Sequence, residues 1–296
     1  MKRLSVIKLA LSMLIFGTIG VFLRFINAER GFIAAMRGIV GALFLLVALL
    51  IMRKRLSAAA IRKNLPLLLL SGVAIGVNWI LLFESYSYTT IAVSTLCYYM
   101  APVFVILASP FVLGAKVGIQ KYLSVSVSFI GMIMVSGASF GEGSNLVGIL
   151  LALGAAILYA SVTLMNKKIS DISAYDMTIV QIGVAGLTML PYTFVVESND
   201  FASLDYTDLI LIATVCILHT GIAYLLFFSS VKELPATTVA IFGYIDPIVA
   251  VALSLLLKEK MTLTMGVGAT LIILALIGSE IDFKKLFKGT GGENDN

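Results

Sequence analysis

The sequence predicts an all-α integral membrane protein of ten transmembrane helices, built as two inverted five-helix repeats with both termini cytoplasmic. Three observations predict it. Hydrophobic residues make up 60% of the chain and charged residues 12%, with a mean hydropathy of +1.05; soluble domains run at about 45–50% apolar and about 25% charged. Apolar segments near the roughly 20 residues that cross a bilayer follow one another with only short connections. The run Tyr98-Tyr99-Met100-Ala101-Pro102-Val103 returns, slightly altered, as Gly243-Tyr244-Ile245-Asp246-Pro247-Ile248.

The first span, 7–26, follows Lys2 and Arg3 and contains Phe16-Gly17. Its long apolar stretch without an Ala-x-Ala-like site reads as a retained helix rather than a signal peptide. The second, 31–52, carries Arg37 near its outer end, and Ala34, Gly38 and Ala42 one turn apart. Such small-residue rows let helices approach closely in lipid. A second row, Gly72 and Gly76, lies in the third span, 64–83, followed by Asn78-Trp79 and, at the outer end, Glu84. The fourth, 88–112, is interrupted by Pro102, and the fifth, 121–138, holds small and aliphatic residues with Ser124, Ser126 and Ser128.

The second copy opens with span six, 146–165, carrying Tyr159-Ala160, and continues with span seven, 176–196, carrying Gln181. Span eight, 207–230, holds His219 and Tyr224; span nine, 236–257, is interrupted by Pro247; span ten, 264–280, is mainly aliphatic. The repeats are placed at 1–140 and 141–282, with a tail, 283–296, whose polar end reads as disordered. Matched positions (Phe16 with Tyr159, Arg37 with Gln181, Gly76 with Gly221, Tyr99 with Tyr244) lie 143 to 145 residues apart. Five spans per copy is an odd number, so the second copy enters the membrane in the opposite sense, an inverted-topology repeat.

Orientation follows from Lys and Arg. Lys2, Arg3, Arg53, Lys54, Arg55, Arg62, Lys63, Lys116, Lys121, Lys167, Lys168, Lys232 and Lys284 fall on the side of the N-terminus, against Arg24, Arg30, Lys258 and Lys260 on the other. That places the N-terminal side in the cytoplasm. The net charge of +5 then needs no nucleic-acid partner, since basic loops sit well against an anionic inner leaflet. Cys97 and Cys216 fall inside spans and read as small buried apolar residues.

Pro102 and Pro247 each lack an N–H and clash with the preceding turn, which frees the carbonyls of Tyr98 and Gly243. Freed backbone is tolerated where it faces protein or a wet cavity. Around the two breaks the sequence concentrates Phe16, Asn78, Trp79, Tyr98, Tyr99, Tyr159, Tyr224 and Tyr244, a candidate wall for stacking planar groups or holding a cation. Asp246 before Pro247 matches an N-cap ahead of the first helical position. It also falls near the bilayer midplane, where an ionised carboxylate costs about 2.5–3.5 kcal/mol unless paired or wetted. His219 is its candidate partner. A His219–Asp246 pair would exchange protons with the bulk and couple transport to a proton gradient; the alternative is a His fixed by hydrogen bonding. Arg37 and Glu84 are expected to pair at the outer rim, as a fixed ion pair or as an outer gate. No His-Glu-x-x-His set and no phosphate-cradling Gly-rich loop with Lys-Ser/Thr occurs. An enzyme, an internally powered ATPase, a metal site and a cofactor are therefore not expected.

In order and in duplicate, these motifs resemble the EamA domain of the drug/metabolite transporter superfamily, over nearly the whole chain. The loop Leu257-Lys258-Glu259-Lys260-Met261-Thr262 is similar to that family's Glu-containing loop, whereas Ala115 and Gln181 stand where the family pattern has Glu and a second Arg. The resemblance implies a ten-helix carrier whose first, third and fourth helices in each repeat surround a central cavity, with the last helix of each at the periphery. With the mirrored breaks, it implies a secondary transporter working by alternating access in a bacterial-type plasma membrane. Export of small amphipathic metabolites, amino acids or drugs is the favoured reading. Proton-coupled import of a nutrient is the alternative, and a non-transporting receptor or scaffold comes third. The expected partners are the lipid bilayer and a small-molecule substrate, with the chain a monomer or homodimer.

Overall fold

A computed structural model describes residues 2–136, 145–197, 204–256 and 263–280. The helices are α1 (Lys2–Leu23), α2 (Arg30–Ile51), α3 (Ala58–Tyr88), α4 (Ile91–Tyr98), α5 (Ala101–Leu113), α6 (Ile119–Ser136), α7 (Leu146–Lys168), α8 (Ala174–Val196) and α9 (Tyr206–Thr214). A π-helical segment (Val215–Ile222) joins α9 to α10 (Ala223–Glu233), and α11 (Ala236–Phe242), α12 (Ile245–Leu256) and α13 (Leu263–Glu280) complete the bundle. Among the described residues, seven helical stretches are long and apolar enough to cross a membrane, and three shorter apolar helices occupy 119–134, 236–249 and 266–279. Together they are the ten spans the sequence predicts. The loop Leu257–Thr262 and the tail 283–296 lie outside the described residues.

The spans carrying Pro102 and Pro247 are both broken, whereas α3 and α8 run unbroken through Pro66 and Pro191. Chain direction is interrupted at Tyr99-Met100 between α4 and α5, and at Gly243-Tyr244 between α11 and α12. The third span is longer than predicted, at 31 residues. The Ser57 hydroxyl caps its start by accepting the Ala60 N–H at 3.3 Å, and Arg62 and Lys63 are good helix formers. The helix therefore continues beyond the apolar segment that marked the membrane.

Contacts between the ends of elements give the relative sense of the halves. Ser5, at the start of α1, donates to Glu233 at the end of α10. Gly148, at the start of α7, packs against Thr89 at the end of α3. The first helix of each half thus starts at opposite ends of the bundle. The principal packings are α2 on α8, α3 on α7 and α8, and α1 on α10 and α12, while α6 and α13 pair at the periphery. The small-residue rows face α8: a Cβ on Gly38 would lie 2.5 Å from the Gly186 backbone, and one on Gly72 would lie 2.7 Å from the Val184 side chain. Leu43, Leu50, Phe111, Ile119 and Phe194 are exposed, an apolar periphery suited to lipid.

Candidate functional site

Met13, Phe16, Gly17, Gly20 and Leu23 line one wall of a cavity of about 340 Å³. They follow the i, i+3, i+4, i+7 stripe of one helix face. A second stripe, Trp79, Leu82, Phe83 and Tyr86 on α3, forms the facing wall. Tyr98, Tyr99 and Pro102 come from the first break, Tyr159 from α7, Tyr224 and Phe227 from α10, and Gly243 and Asp246 from the second break. Leu23 and Tyr86 lie near the ends of α1 and α3, so the cavity is displaced away from the end where α1 begins. Gly17 sets the approach of α1 to α12, since a Cβ there would lie 2.7 Å from the Asp246 carbonyl oxygen. The rings interlock edge-on: Phe16 with Tyr224 at 5.1 Å, Trp79 with Tyr224 at 6.2 Å, and Tyr98 with Tyr159 at 5.9 Å between centroids.

Arg37 reaches the same cavity from α2. Its residue is only 8% exposed, yet among the described residues no carboxylate pairs with it. Nε donates to Thr220 Oγ1 at 3.0 Å, and the guanidinium lies 5.1 Å from the Trp79 ring centroid. Thr220 can accept because its own hydroxyl proton goes to the Val215 carbonyl at 3.3 Å, a five-residue reach that fits the wide turns of the π-helical segment. At the N-terminus of α2, the Glu197 carboxylate accepts the N–H groups of Gly31 at 2.7 Å and Phe32 at 2.8 Å, which ties α2 to the end of α8.

The expected Arg37–Glu84 ion pair is not formed. Glu84 shares the row of Gly72 and Gly76 that faces α8, and there accepts the Tyr192 hydroxyl at 2.8 Å. Arg37 shares a face with Gly41, which packs on Cys216 and Thr220 instead. The expected His219–Asp246 pair is not formed either. His219 is fully buried, with its ring edge-on to Phe22 at 4.8 Å and Nε2 2.8 Å from Thr18 Oγ1. Thr18 spends its hydroxyl proton on the Ile15 carbonyl at 2.8 Å, so Nε2 is the donor. The π turns rotate His219 away from where an α-helical phase would put it. Asp246 instead faces the Tyr99 hydroxyl, and it is inside the first turn of α12, one residue past the helix start, rather than at its cap.

Asn78 and Tyr244 leave the cavity wall. Asn78 donates through Nδ2 to the Ala155 carbonyl, joining α3 to α7. Fully buried Tyr244 donates from the second break to the Tyr99 carbonyl of the first, at 3.2 Å. The two breaks are thereby linked directly, and Pro247 is buried behind them. Phe16, Trp79, Tyr98, Tyr99, Tyr159, Tyr224, Asp246, Arg37 and Pro102 are brought together. Tyr86, Phe83 and Met13 were missed as lining residues, although the 3.6-residue stripes carrying them are visible in the sequence.

The opposite end of the bundle is closed by contacts onto the connection between α7 and α8, from α3 of the first half and from α10 of the second. Lys63 pairs with Asp171 at 2.7 Å, and its hydrogen bond and charge hold the Asp171 carboxyl below the usual carboxylate range. Asn64 donates to the Ser170 carbonyl at 2.9 Å and accepts the Ser170 N–H at 3.3 Å. Lys232 donates to the Ile172 carbonyl. Behind them Gln181, the counterpart of Arg37, is fully buried and donates to Ser71 and to Asn166 Oδ1 at 2.6 Å.

Comparison with known proteins agrees with this architecture. The model of the EamA-like transporter family matches residues 3–137 and 146–280. The uncharacterized transporter YxxF of Bacillus subtilis (strain 168) is 31% identical over 255 residues, 85% of this chain and 81% of that one. The uncharacterized transporter YvbV of the same organism is 26% identical over 250 residues, 82% of this chain and 80% of that one. A crystal structure of a protein 13% identical superposes with a TM-score of 0.84 over 93% of this chain and 97% of that chain, a likeness of fold.

Proposed function

The chain belongs to the EamA-like transporter family, and on that premise we propose that it is a secondary-active carrier that exports a small amphipathic organic solute by alternating access. It is a multi-pass membrane transporter and not an enzyme. The observation that carries the reading is a cavity of about 340 Å³ walled by both halves, displaced toward one end while cross-half contacts close the other. In an inverted repeat, rocking one half against the other exchanges the open and closed ends around a fixed site. Ring faces, one guanidinium and one carboxylate suit a solute that is part apolar and part polar. Export is inferred from the likeness to the family, with the orientation given by the Lys and Arg distribution.

Reconstitution into liposomes tests the proposal. Preloaded vesicles should exchange a bound solute with external label faster than protein-free vesicles, and the rate should saturate. Binding in detergent with no flux in vesicles would make the protein a receptor and overturn the proposal.

A further inference from the structure

Arg37 and Asp246, side chains of opposite type, share the cavity without pairing with each other. The Arg37 guanidinium uses Nε for Thr220 and one face for Trp79; its two terminal amino groups have no protein acceptor among the described residues. On the other side, Asp246 faces the Tyr99 hydroxyl in a nest of phenol rings that includes Tyr98 and Tyr159. No ion pair joins Arg37 to Asp246. The elements explain why: α2 packs on the π-helical segment, whereas α12 packs on α1, so the two charges enter from different sides of the cage. Both face into an otherwise apolar, aromatic space.

Charge in such a space is costly until paired. A ligand bearing only a carboxylate would satisfy Arg37 and leave Asp246 unmet. A ligand bearing only an amine would do the reverse. A guanidinium edge with two parallel N–H groups matches a carboxylate bidentately, and a carboxylate among tyrosine rings suits an ammonium. We propose that the cavity takes an amphipathic zwitterion with separated charges, its carboxylate on the free edge of Arg37, its ammonium at Asp246, and an apolar body between them against the rings of Trp79, Tyr98 and Tyr224. The separation matters: an α-amino acid carries both charges around one carbon, whereas these receptors stand apart. This assignment rests on the carrier reading above and names the substrate class of that same cavity.

The test uses the full-length protein in detergent and para-(aminomethyl)benzoate as the probe, with three comparators. Para-ethylbenzoate keeps the carboxylate alone, para-(aminomethyl)benzamide keeps the ammonium alone, and phenylglycine is an isomer of the probe with adjacent charges. Calorimetric titration should find the probe at least about tenfold tighter than each comparator. Arg37→Gln should abolish the preference over the benzamide and keep the preference over para-ethylbenzoate; Asp246→Asn should do the converse. Each variant thus retains one half of the discrimination, which shows that it is folded. Equal binding of phenylglycine, an unchanged ranking in both variants, or no binding of any of the four overturns the assignment. Counterflow in vesicles separates it from the carrier reading. Flux of all four compounds without ranking would leave the carrier standing and remove the zwitterion, whereas ranked binding with no flux would do the opposite.

Discussion

His219 and Arg37 sit on adjoining elements and use their nitrogens to different ends. His219 gives its Nε2 proton to Thr18 and packs its ring on Phe22, an arrangement that joins α1 to the eighth span. Arg37 leaves its terminal amino groups to the cavity. A residue that fixes helices and does not touch the solute should be replaceable by one with similar hydrogen-bonding reach. His219→Gln is therefore expected to cost about 1 kcal/mol of stability and to leave the response of flux to an imposed pH gradient unchanged. A vesicle assay with acid-inside and acid-outside gradients checks this, and loss of gradient dependence in the variant would restore His219 as a coupling residue. The residue types around the cavity were legible in the sequence: Phe16, Trp79, Tyr98, Tyr99, Tyr159, Tyr224 and Asp246 all line it. Partners were not. Whether Arg37 meets Glu84 or Thr220 depends on which face of α2 turns inward, and neighbouring helices decide that.

Among the elements, the broken helices were readable at Pro102 and Pro247, which lack a ladder N–H, recur at matched places in the two copies and sit in the first turns of α5 and α12; Pro66 and Pro191 leave α3 and α8 continuous. Span limits were readable where they follow apolar length, but not at α3, whose helix runs on past its apolar segment. The π-helical segment had no such signal. Val215–Ile222 contains no proline, and its wide turns depend on packing against α2, where Arg37, Gly41 and Thr220 meet. Helix crossings fall between these cases: Gly38 marks a close approach, but its partner Gly186 emerges only in three dimensions. At that crossing the two backbones touch, and overpacking costs about 1–3 kcal/mol where neither can yield. Gly38→Ala is expected to destabilise by that amount, whereas Gly278→Ala, with nothing within 4 Å of the added Cβ, should be neutral or stabilise by roughly 0.5–1 kcal/mol. Thermal unfolding in one detergent compares the two, and equal melting temperatures would mean that α2 and α8 are not held backbone to backbone.

For the molecule as a whole, the consequential asymmetry is between its two ends. One end holds a cavity; the other is closed by Lys63 with Asp171, Asn64 with Ser170, and Lys232 with the Ile172 carbonyl, each joining α3 or α10 to the connection between α7 and α8. The side chains of Lys63 and Asp171 are 60% and 73% exposed, so water and salt screen their attraction and the pair holds weakly. Weak contacts of this kind suit a seal that must open in every cycle. If the two ends open in turn, a covalent tie at this seal should stop transport without emptying the cavity at the other end. Lys63→Cys combined with Asp171→Cys, joined by a short bifunctional thiol reagent with a reducible bond, provides that tie. The native Cys97 and Cys216 are buried and should not compete for the reagent. Crosslinked protein is expected to bind para-(aminomethyl)benzoate within about twofold of the untreated double variant and to lose at least about nine-tenths of its counterflow, and reduction of the link should restore flux. Counterflow persisting at the untreated rate would mean that this end does not open, and that the solute leaves by another path.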